Sequence, residues 1–208
     1  MNKRNYSREL DELIKNNYRD GVRPSLMLHV CCAVCASYVL EYLYPHFAIT
    51  VAYYNPNITD RSEYDYRLSE LNRYIDETGM TDIRFVEVDY DPERFDKLSE
   101  GLEDVPEGGA RCARCFELRL CYTAELCKRY GCDYFATTLT ISPLKNAEVI
   151  NAVGEKAGRD IKARYLATDF KKKDGYKRSI ELSRRYDLYR QNYCGCRFSY
   201  REMLNRNR

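Results

Sequence analysis

The sequence predicts an α/β fold with a mostly parallel sheet, and three observations support this prediction. Short apolar runs alternate with amphipathic segments along most of the 208 residues. The apolar runs are nearly continuous, which is typical of strands that are buried on both faces. The hydrophobic content of 44% is sufficient for one sizeable core, so we expect one α/β domain over residues 1–208.

Five apolar runs predict the strands. They are "SLMLHV" (25–30), "FAITVAYY" (47–54), "IRFVEVD" (83–89), "CDYFATT" (132–138) and "RYLATD" (164–169). Strands that alternate with helices pair in parallel through crossover connections. Because ligands of such sheets bind beyond the carboxyl ends of the strands, we expect the functional residues in the loops that follow these runs.

Helices are predicted between the strands. Two sets of residues share the spacing of one helix face; they are Tyr64, Leu68, Leu71 and Ile75, and Phe116, Leu120, Ala124 and Cys127. Asp91-Pro92 and Ser142-Pro143 predict helix starts, because proline is favoured in a first turn. Gly79 and Gly131 predict helix ends. Residues 1–22 predict an N-terminal helical extension.

Charge and hydropathy limit the class of protein. The first twenty residues contain no apolar segment, and no apolar run approaches the roughly 20 residues that span a bilayer, so a cytoplasmic protein is expected. Residues 162–208 hold 14 Lys and Arg against 5 Asp and Glu, a balance of +9, whereas the first 161 residues carry −7. This basic C-terminal part predicts a polyanionic partner. A solvated charged face is the alternative.

The sequence contains ten cysteines. In a reducing compartment a structural disulfide network is not expected, and clustered cysteines more often indicate metal binding or redox chemistry. Cys31 and Cys32 end the first predicted strand, and Cys112 and Cys115 have CxxC spacing at a predicted helix start. Together the two pairs form a Cys₄ set, which suits zinc or an iron–sulfur cluster. The adjacent pair at a strand end favours the cluster, and unliganded buried thiols are the remaining alternative. Cys35, one turn beyond Cys31, is either a further ligand or a packing residue.

The pair Cys194 and Cys196 has a spacing too tight for an unstrained bridge, which favours a dithiol that cycles through a disulfide. A metal-binding pair is the competing interpretation. The remaining cysteines, Cys121, Cys127 and Cys132, lie among apolar residues and are expected to be small buried hydrophobes. His29 is expected to be a core histidine.

Five motifs together resemble one family. They are "LHVCCAVCA", "YYNPNI" followed by "EYDYRLSEL", "RCARCFELRL", "FATTLTISPLKN" and "DFKKKDGYKRSIELSRRYDLYRQNYCGC". In this order they are similar to the QueH-type epoxyqueuosine reductases of queuosine biosynthesis. The resemblance covers residues 25–200, nearly the whole chain. Each motif alone is weak, but all five in order are specific.

The resemblance implies a Rossmann-like three-layer sandwich of the nucleotide α-hydrolase superfamily. It implies that Cys31, Cys32, Cys112 and Cys115 hold a [4Fe–4S] cluster and that Cys194 and Cys196 form a redox-active disulfide. An additional iron would be held by Cys35 and Asp89. The cysteine pair occupies the loop that binds pyrophosphate in ATP-using relatives, and no glycine-rich phosphate loop replaces it, so ATP binding is not expected. Nothing in the sequence suggests a corrinoid.

The reaction implied by the resemblance is reduction of the epoxide of epoxyqueuosine in the tRNA wobble nucleoside, which gives queuosine in the final step of its biosynthesis. It requires a separate electron donor and a proton donor, for which Tyr193, Tyr189 and Asp89 are candidates. Tyr176 and Tyr189 are candidates for stacking on loop bases. The tRNA-binding cations would be Lys171, Lys172, Lys173, Lys177, Arg178, Arg184, Arg185 and Arg190. The alternatives are a non-catalytic zinc-dependent tRNA-binding module and a general thiol–disulfide oxidoreductase.

Overall fold

The computed structural model describes residues 4–206. The strands are β1 (Ser25–His29), β2 (Ala48–Ala52), β3 (Arg84–Val86) and β4 (Tyr134–Thr137). The α-helices are α1 (Tyr6–Arg19), α2 (Ala33–Leu43), α3 (Arg61–Thr78), α4 (Pro92–Ser99), α5 (Ala110–Arg129), α6 (Ala147–Ile161), α7 (Gly175–Arg185) and α8 (Arg197–Arg206). A 3₁₀ helix, Thr138–Ile141, follows β4 directly.

All pairs in the four-stranded sheet are parallel, and the strand order is β3-β2-β1-β4. Leu28 of β1 lies opposite Val51 of β2 on one side and Ala136 of β4 on the other. The chain therefore proceeds from β1 through β2 to β3 and then returns to the opposite side of β1. The carboxyl ends of β1 and β4 flank the point where the strand order reverses, which is where doubly wound sheets bind ligands.

Helices cover both faces of the sheet, because successive side chains of a strand point to opposite sides. Leu26 and Leu28 belong to the apolar cluster that includes α2 and α3, and Leu10 of α1 joins it. Met27 packs instead in the cluster that contains Cys127 of α5 and residues of α6. The three-layer arrangement confirms the predicted fold class.

The predicted strand at 164–169 forms only an isolated bridge beside β4. The amide of Phe135 donates to Arg164 O at 2.9 Å, and that of Leu166 donates to Phe135 O at 2.8 Å. Beyond this point the side chain of Asn151 in α6 accepts from the amide of Thr168 at 3.1 Å and donates to its carbonyl at 2.9 Å. A side chain thus takes the backbone partners that a regular strand would use.

The helix start predicted at Ser142-Pro143 is also wrong. Helix α6 begins at Ala147, and Asn146 caps it, because its side chain accepts from the amide of Glu148 at 2.8 Å. Residues 142–146 are consequently a loop at the carboxyl edge of the sheet. The helix start predicted at Asp91-Pro92 is confirmed, and so are the helix ends predicted at Gly79 and Gly131, where both glycines have positive φ.

Helix α1 lies within the predicted N-terminal extension over residues 1–22, of which residues 1–3 are outside the described residues. None of the helices within residues 4–206 combines the length and apolarity that crossing a bilayer requires.

Candidate metal and redox site

Cys31, Cys32 and Cys35 gather where β1 passes into α2. Cys32 is extended (φ −173°) and occupies the N-cap of α2, where its sulfur accepts from the amide of Cys35 at 3.3 Å. The Sγ atoms of Cys31 and Cys32 are 3.9 Å apart, and all three sulfurs lie within 4.8 Å of one another. Three thiols at this spacing can coordinate one metal ion.

The three thiols differ in pKa. Hydrogen bonds from the thiols of Cys32 and Cys35 hold the pKa of Cys31 well below its usual range. The same hydrogen bond to Cys31 raises the pKa of Cys32 to about 12. Thr138, which follows β4, accepts from the Cys31 amide at 3.4 Å and lies 3.6 Å from its sulfur. The group therefore favours one thiolate, the form that binds metal.

Cys112 and Cys115 lie at the start of α5 and line the smaller of two cavities, which are described below. The sulfur of Cys112 accepts from the amide of Gly108 at 3.2 Å. Burial raises the pKa of both thiols, that of Cys115 to about 11. A metal ion would displace these protons, because cysteine binds metal as the thiolate.

Cys194 and Cys196 face each other across Gly195. Their sulfurs are 3.5 Å apart, and Ser199 Oγ lies 3.0 Å from the first and 3.5 Å from the second. Gly195 has φ +108°, and a Cβ atom there would meet Ile58 Cγ1 at 2.7 Å. Glycine is required at this position by both criteria. A hydrogen bond from the Cys196 thiol lowers the pKa of Cys194 well below its usual range.

Helix α3 holds the segment that carries this dithiol. Arg67, only 2% exposed, donates to the carbonyl of Cys194 at 3.3 Å, and Asn57 Nδ2 donates to the same oxygen at 3.2 Å. Arg67 Nε in turn donates to Glu63 at 2.7 Å, and the hydroxyl of Tyr189 donates to Glu63 at 3.2 Å. Two buried donors on one carbonyl fix the position of Cys194.

Two adjoining cavities connect the cysteine groups. The larger, of about 320 Å³, is lined by Cys31, Cys35 and Cys194 among others. The smaller, of about 110 Å³, is lined by Cys112, Cys115, Cys194 and Cys196. Five residues line both cavities: Glu107, Arg119, Leu144, Lys145 and Cys194. Five of the six predicted cluster and dithiol cysteines therefore line these two adjoining cavities, together with Cys35. The sixth, Cys32, is buried beside Cys31 and lines neither cavity.

Two cationic residues that line both cavities were not identified from the sequence. Arg119 is buried and donates to Cys115 O at 3.4 Å. Lys145 is partly buried; burial opposes its charge, but the sulfurs of Cys194, Cys31 and Cys35 raise its pKa. The available signal was positional, since Lys145 lies in the loop after the fourth predicted strand. Nothing in its residue type distinguished it from the other lysines.

Other predicted residues lie elsewhere. Asp89 is exposed in the segment after the edge strand β3, and it lines neither cavity and is not in the three-cysteine group. His29 is a core histidine, as expected, since its nitrogens lie 2.8 Å from Thr137 Oγ1 and 3.1 Å from Tyr54 O. Burial lowers its pKa to about 3, so the ring is neutral.

The predicted tRNA-binding cations fall into two groups. Three are engaged within the protein: Lys171 donates to Thr140 O at 2.9 Å, Lys173 pairs with Asp11, and Arg178 pairs with Glu41 at 2.7 Å. The others are exposed; they are Lys172, Lys177, Arg184, Arg185 and Arg190. Arg190 and Tyr176 also line the larger cavity. The exposed group is the one available to a polyanion.

Comparison with known proteins gives the same family that the motifs indicate. The family model described as epoxyqueuosine reductase QueH matches residues 26–202. The chain belongs to the QueH epoxyqueuosine reductase family. It is 45% identical over 196 residues to epoxyqueuosine reductase QueH of Streptococcus pyogenes serotype M1, covering 92% of this chain and 76% of that protein. It is 41% identical over 201 residues to the protein of the same name from Staphylococcus epidermidis, with 94% and 84% covered.

Family membership confirms the resemblance drawn from the five motifs. The match includes β1 through most of α8, and hence every cysteine that lines the two cavities.

Proposed function

We propose that this protein reduces the epoxide of epoxyqueuosine in tRNA to give queuosine, using an iron–sulfur cluster and the Cys194–Cys196 dithiol. The observation that carries this proposal is the convergence of three cysteine groups on one space at the switch point of the sheet. A chain of this family with only a structural metal would not need a separate dithiol beside it.

The donor set fits the implied cluster. Thiolates select iron–sulfur clusters, zinc or copper(I) over harder cations. We assign Cys31, Cys32, Cys112 and Cys115 as ligands of a [4Fe–4S] cluster, which is larger than a single ion and suits ligands from the starts of two helices, α2 and α5. Cys35, within 4.8 Å of the first pair, is then left for an additional iron. When bound, such a cluster transfers single electrons at a potential that its surroundings set.

The dithiol balances the reaction. Removing the epoxide oxygen breaks two C–O bonds, forms one C=C bond and releases water, which consumes two electrons and two protons. Oxidation of Cys194 and Cys196 to a disulfide supplies two electrons and, because Cys194 is the thiolate, one proton from Cys196; solvent supplies the second proton. Arg67 and Asn57 hold the Cys194 carbonyl. The two sulfurs are 3.5 Å apart, so closing the disulfide requires them to approach by about 1.5 Å. A separate electron donor must then restore the dithiol.

The RNA partner is assigned to the surface around the larger cavity. Lys172, Lys177, Arg184 and Arg185 are exposed and would contact phosphates, which positions the RNA without reading its sequence. Arg190 and Tyr176 lie at the cavity itself, and Tyr176 is 37% exposed. An exposed aromatic ring beside a cavity suits stacking on an unpaired base of the anticodon loop.

The first experiment is metal analysis and turnover on protein purified without oxygen. We expect matched iron and acid-labile sulfide, a visible spectrum that bleaches with dithionite, and conversion of epoxyqueuosine-tRNA detected by nucleoside mass spectrometry. Cys112→Ser should lose colour and activity together, because it removes one cluster ligand. Cys121→Ser, a change in the same helix outside both cavities, should retain both.

Two results would contradict the assignment. A colourless protein with one zinc and no turnover would favour a zinc-dependent RNA-binding module, for which the three thiols within 4.8 Å are also suitable ligands. Full turnover by Cys112→Ser with an intact spectrum would remove this residue from the cluster.

A further inference from the structure

We propose that Lys145 is a catalytic residue whose ammonium group donates a hydrogen bond to the epoxide oxygen while that oxygen leaves carbon. This inference rests on the proposed function and adds a group that the reaction needs but that the cysteines do not supply.

The position of Lys145 is the first argument. It lines both cavities, and its charge interacts with sulfurs of both groups, namely Cys31 and Cys35 on one side and Cys194 on the other. A substrate that receives electrons from this dithiol and lies beside the three-cysteine group must therefore approach Lys145.

The backbone of Lys145 is fixed from two sides. Lys171 Nζ donates to the carbonyls of Lys145, at 3.4 Å, and Thr140, at 2.9 Å, and Lys171 itself pairs with Asp169 at 3.1 Å. The next residue, Asn146, caps α6. Lys171, which the sequence predicts as an RNA contact, thus anchors the loop that presents Lys145.

The ammonium group is free to bind a ligand. Within residues 4–206, Lys145 Nζ has no carboxylate within ion-pair distance and no hydrogen-bond acceptor, whereas Lys171, Lys173 and Lys156 each pair with an Asp or Glu. The carboxyl of Glu107, which lines the same two cavities, interacts with this charge but is not within ion-pair distance, so the Lys145 donors stay available to a developing anion.

The chemistry requires such a group. As the first C–O bond breaks, negative charge develops on the epoxide oxygen, and this oxygen finally leaves as water. The electron pair comes from Cys194 and Cys196, which become a disulfide; because Cys194 is the thiolate, Cys196 supplies one proton of the water and solvent supplies the other. A preorganised cationic donor stabilises the oxygen charge in between. The alternatives are weaker: burial raises the pKa of Glu107, but its carboxyl repels the oxygen whenever it is ionised, and the Tyr189 hydroxyl already donates to Glu63.

The test uses the full-length, metal-loaded protein with an anticodon stem-loop RNA that contains epoxyqueuosine. In single turnover, Lys145→Met and Lys145→Gln should slow product formation about 100-fold, the cost typical of losing one oxyanion donor. Lys145→Arg, which keeps the charge, should recover part of the rate. The matched control is Lys128→Met, because this exposed lysine lies near the far end of α5, roughly 30 Å along the helix from its start.

A second measurement separates a role at oxygen from a role at sulfur. The rate at which Cys194 and Cys196 reduce a small aromatic disulfide should change far less in Lys145→Met than epoxide turnover does, and visible absorbance and RNA affinity should be retained. Equal losses in both rates would show that Lys145 acts through the thiolate and would overturn the proposal. So would an unaffected Lys145→Met, or a 100-fold loss confined to Glu107→Gln or Tyr193→Phe. If the wild-type protein forms no product, the proposed function fails, and this inference falls with it.

Discussion

Cysteines occupy both ends of the sheet, and their surroundings differ. At the carboxyl end, the sulfurs of Cys31 and Cys194 line a cavity and have pKa values well below the usual range. At the opposite end, Cys127 lies in the apolar cluster with Met27 and Phe135, and its thiol donates to Cys132 O at 3.3 Å. A hydrogen bond from the Cys127 thiol lowers the pKa of Cys132 as well, but neither of these cysteines lines either cavity.

The difference shows that thiol chemistry depends on what a fold places around the sulfur. At the carboxyl end, parallel strands and helix starts bring amide donors, other thiols and Lys145 to the same point. At the opposite end, helix α5 terminates and β4 begins. There Cys127 packs in the apolar cluster and donates a hydrogen bond to a carbonyl. Three substitutions test this contrast, in order of decreasing effect.

Cys196→Ser should have the largest effect. Without this sulfur no disulfide with Cys194 can form, so the dithiol supplies no electron pair, and turnover should fall by at least about 10³-fold, as for other groups that act as a unit. Iron and sulfide content should not change. The measurement is single-turnover product formation together with metal analysis.

The matched control at the other end is Cys127→Ser. It should cost some stability, because a hydroxyl replaces a buried thiol that is 1% exposed, but it should keep turnover close to wild type. Comparable losses of turnover in both variants would mean that the two ends are not chemically distinct.

Arg67→Met should have the second-largest effect, a loss of folding stability. The guanidinium lies buried between Glu63 and the Cys194 carbonyl, so its removal leaves a mostly buried carboxylate without its cation. We expect a loss of about 2–3 kcal/mol in the free energy of unfolding, below the 3–5 kcal/mol of fully buried pairs. Alkylation of Cys194 should also accelerate, because its segment is held less firmly.

Arg61→Met is the control for this change. Arg61 lies in the same helix and pairs with Asp65 at 2.7 Å, but both side chains are more than half exposed. Such pairs contribute about 0–1 kcal/mol. Urea unfolding of both variants measures the difference, and equal destabilisation would exclude a special role for the Arg67 contact.

Asp133→Asn should have the smallest effect, at the end of the sheet without the cavities. Hydrogen bonds from the hydroxyl and amide of Ser25, at 2.7 and 2.8 Å, lower the pKa of Asp133. Its carboxylate therefore stabilises the fold above the unfolded-state pKa of about 3.9, and this contribution is lost as the pH falls through the lower folded-state pKa. Solvent exposure limits the difference from wild type to about 1 kcal/mol.

The measurement is urea unfolding of wild type and Asp133→Asn at pH 7 and near pH 3. The difference in unfolding free energy should be present at pH 7 and smaller at the acidic pH. A difference that stays constant or grows on acidification would be inconsistent with a stabilising carboxylate.

Local pattern predicted most of the architecture. Continuous apolar runs identified all four strands, and the helix-face spacing of Tyr64 to Ile75 and of Phe116 to Cys127 identified α3 and α5. The two errors are the strand at 164–169 and the helix start at Ser142-Pro143. They have one physical origin, because in both places a side chain forms the hydrogen bonds that decide the backbone structure. Asn151 holds the backbone of Thr168 in place of a strand neighbour, and Asn146, rather than Ser142, caps α6. Such long-range or competing hydrogen bonds produce no periodic pattern of residues in the sequence.

For the site, the sequence by itself determined the cysteine pairs, their place after predicted strands and helix starts, and the family. Spacing carries this information because ligands close in sequence share a turn or a helix end. Only the tertiary structure decided what lies between the pairs. Lys145, Arg119 and Arg67 come from separate elements, and their roles depend on burial, missing or present carboxylate partners, and the sulfurs they face. Those are properties of three-dimensional proximity, which one-dimensional spacing does not encode.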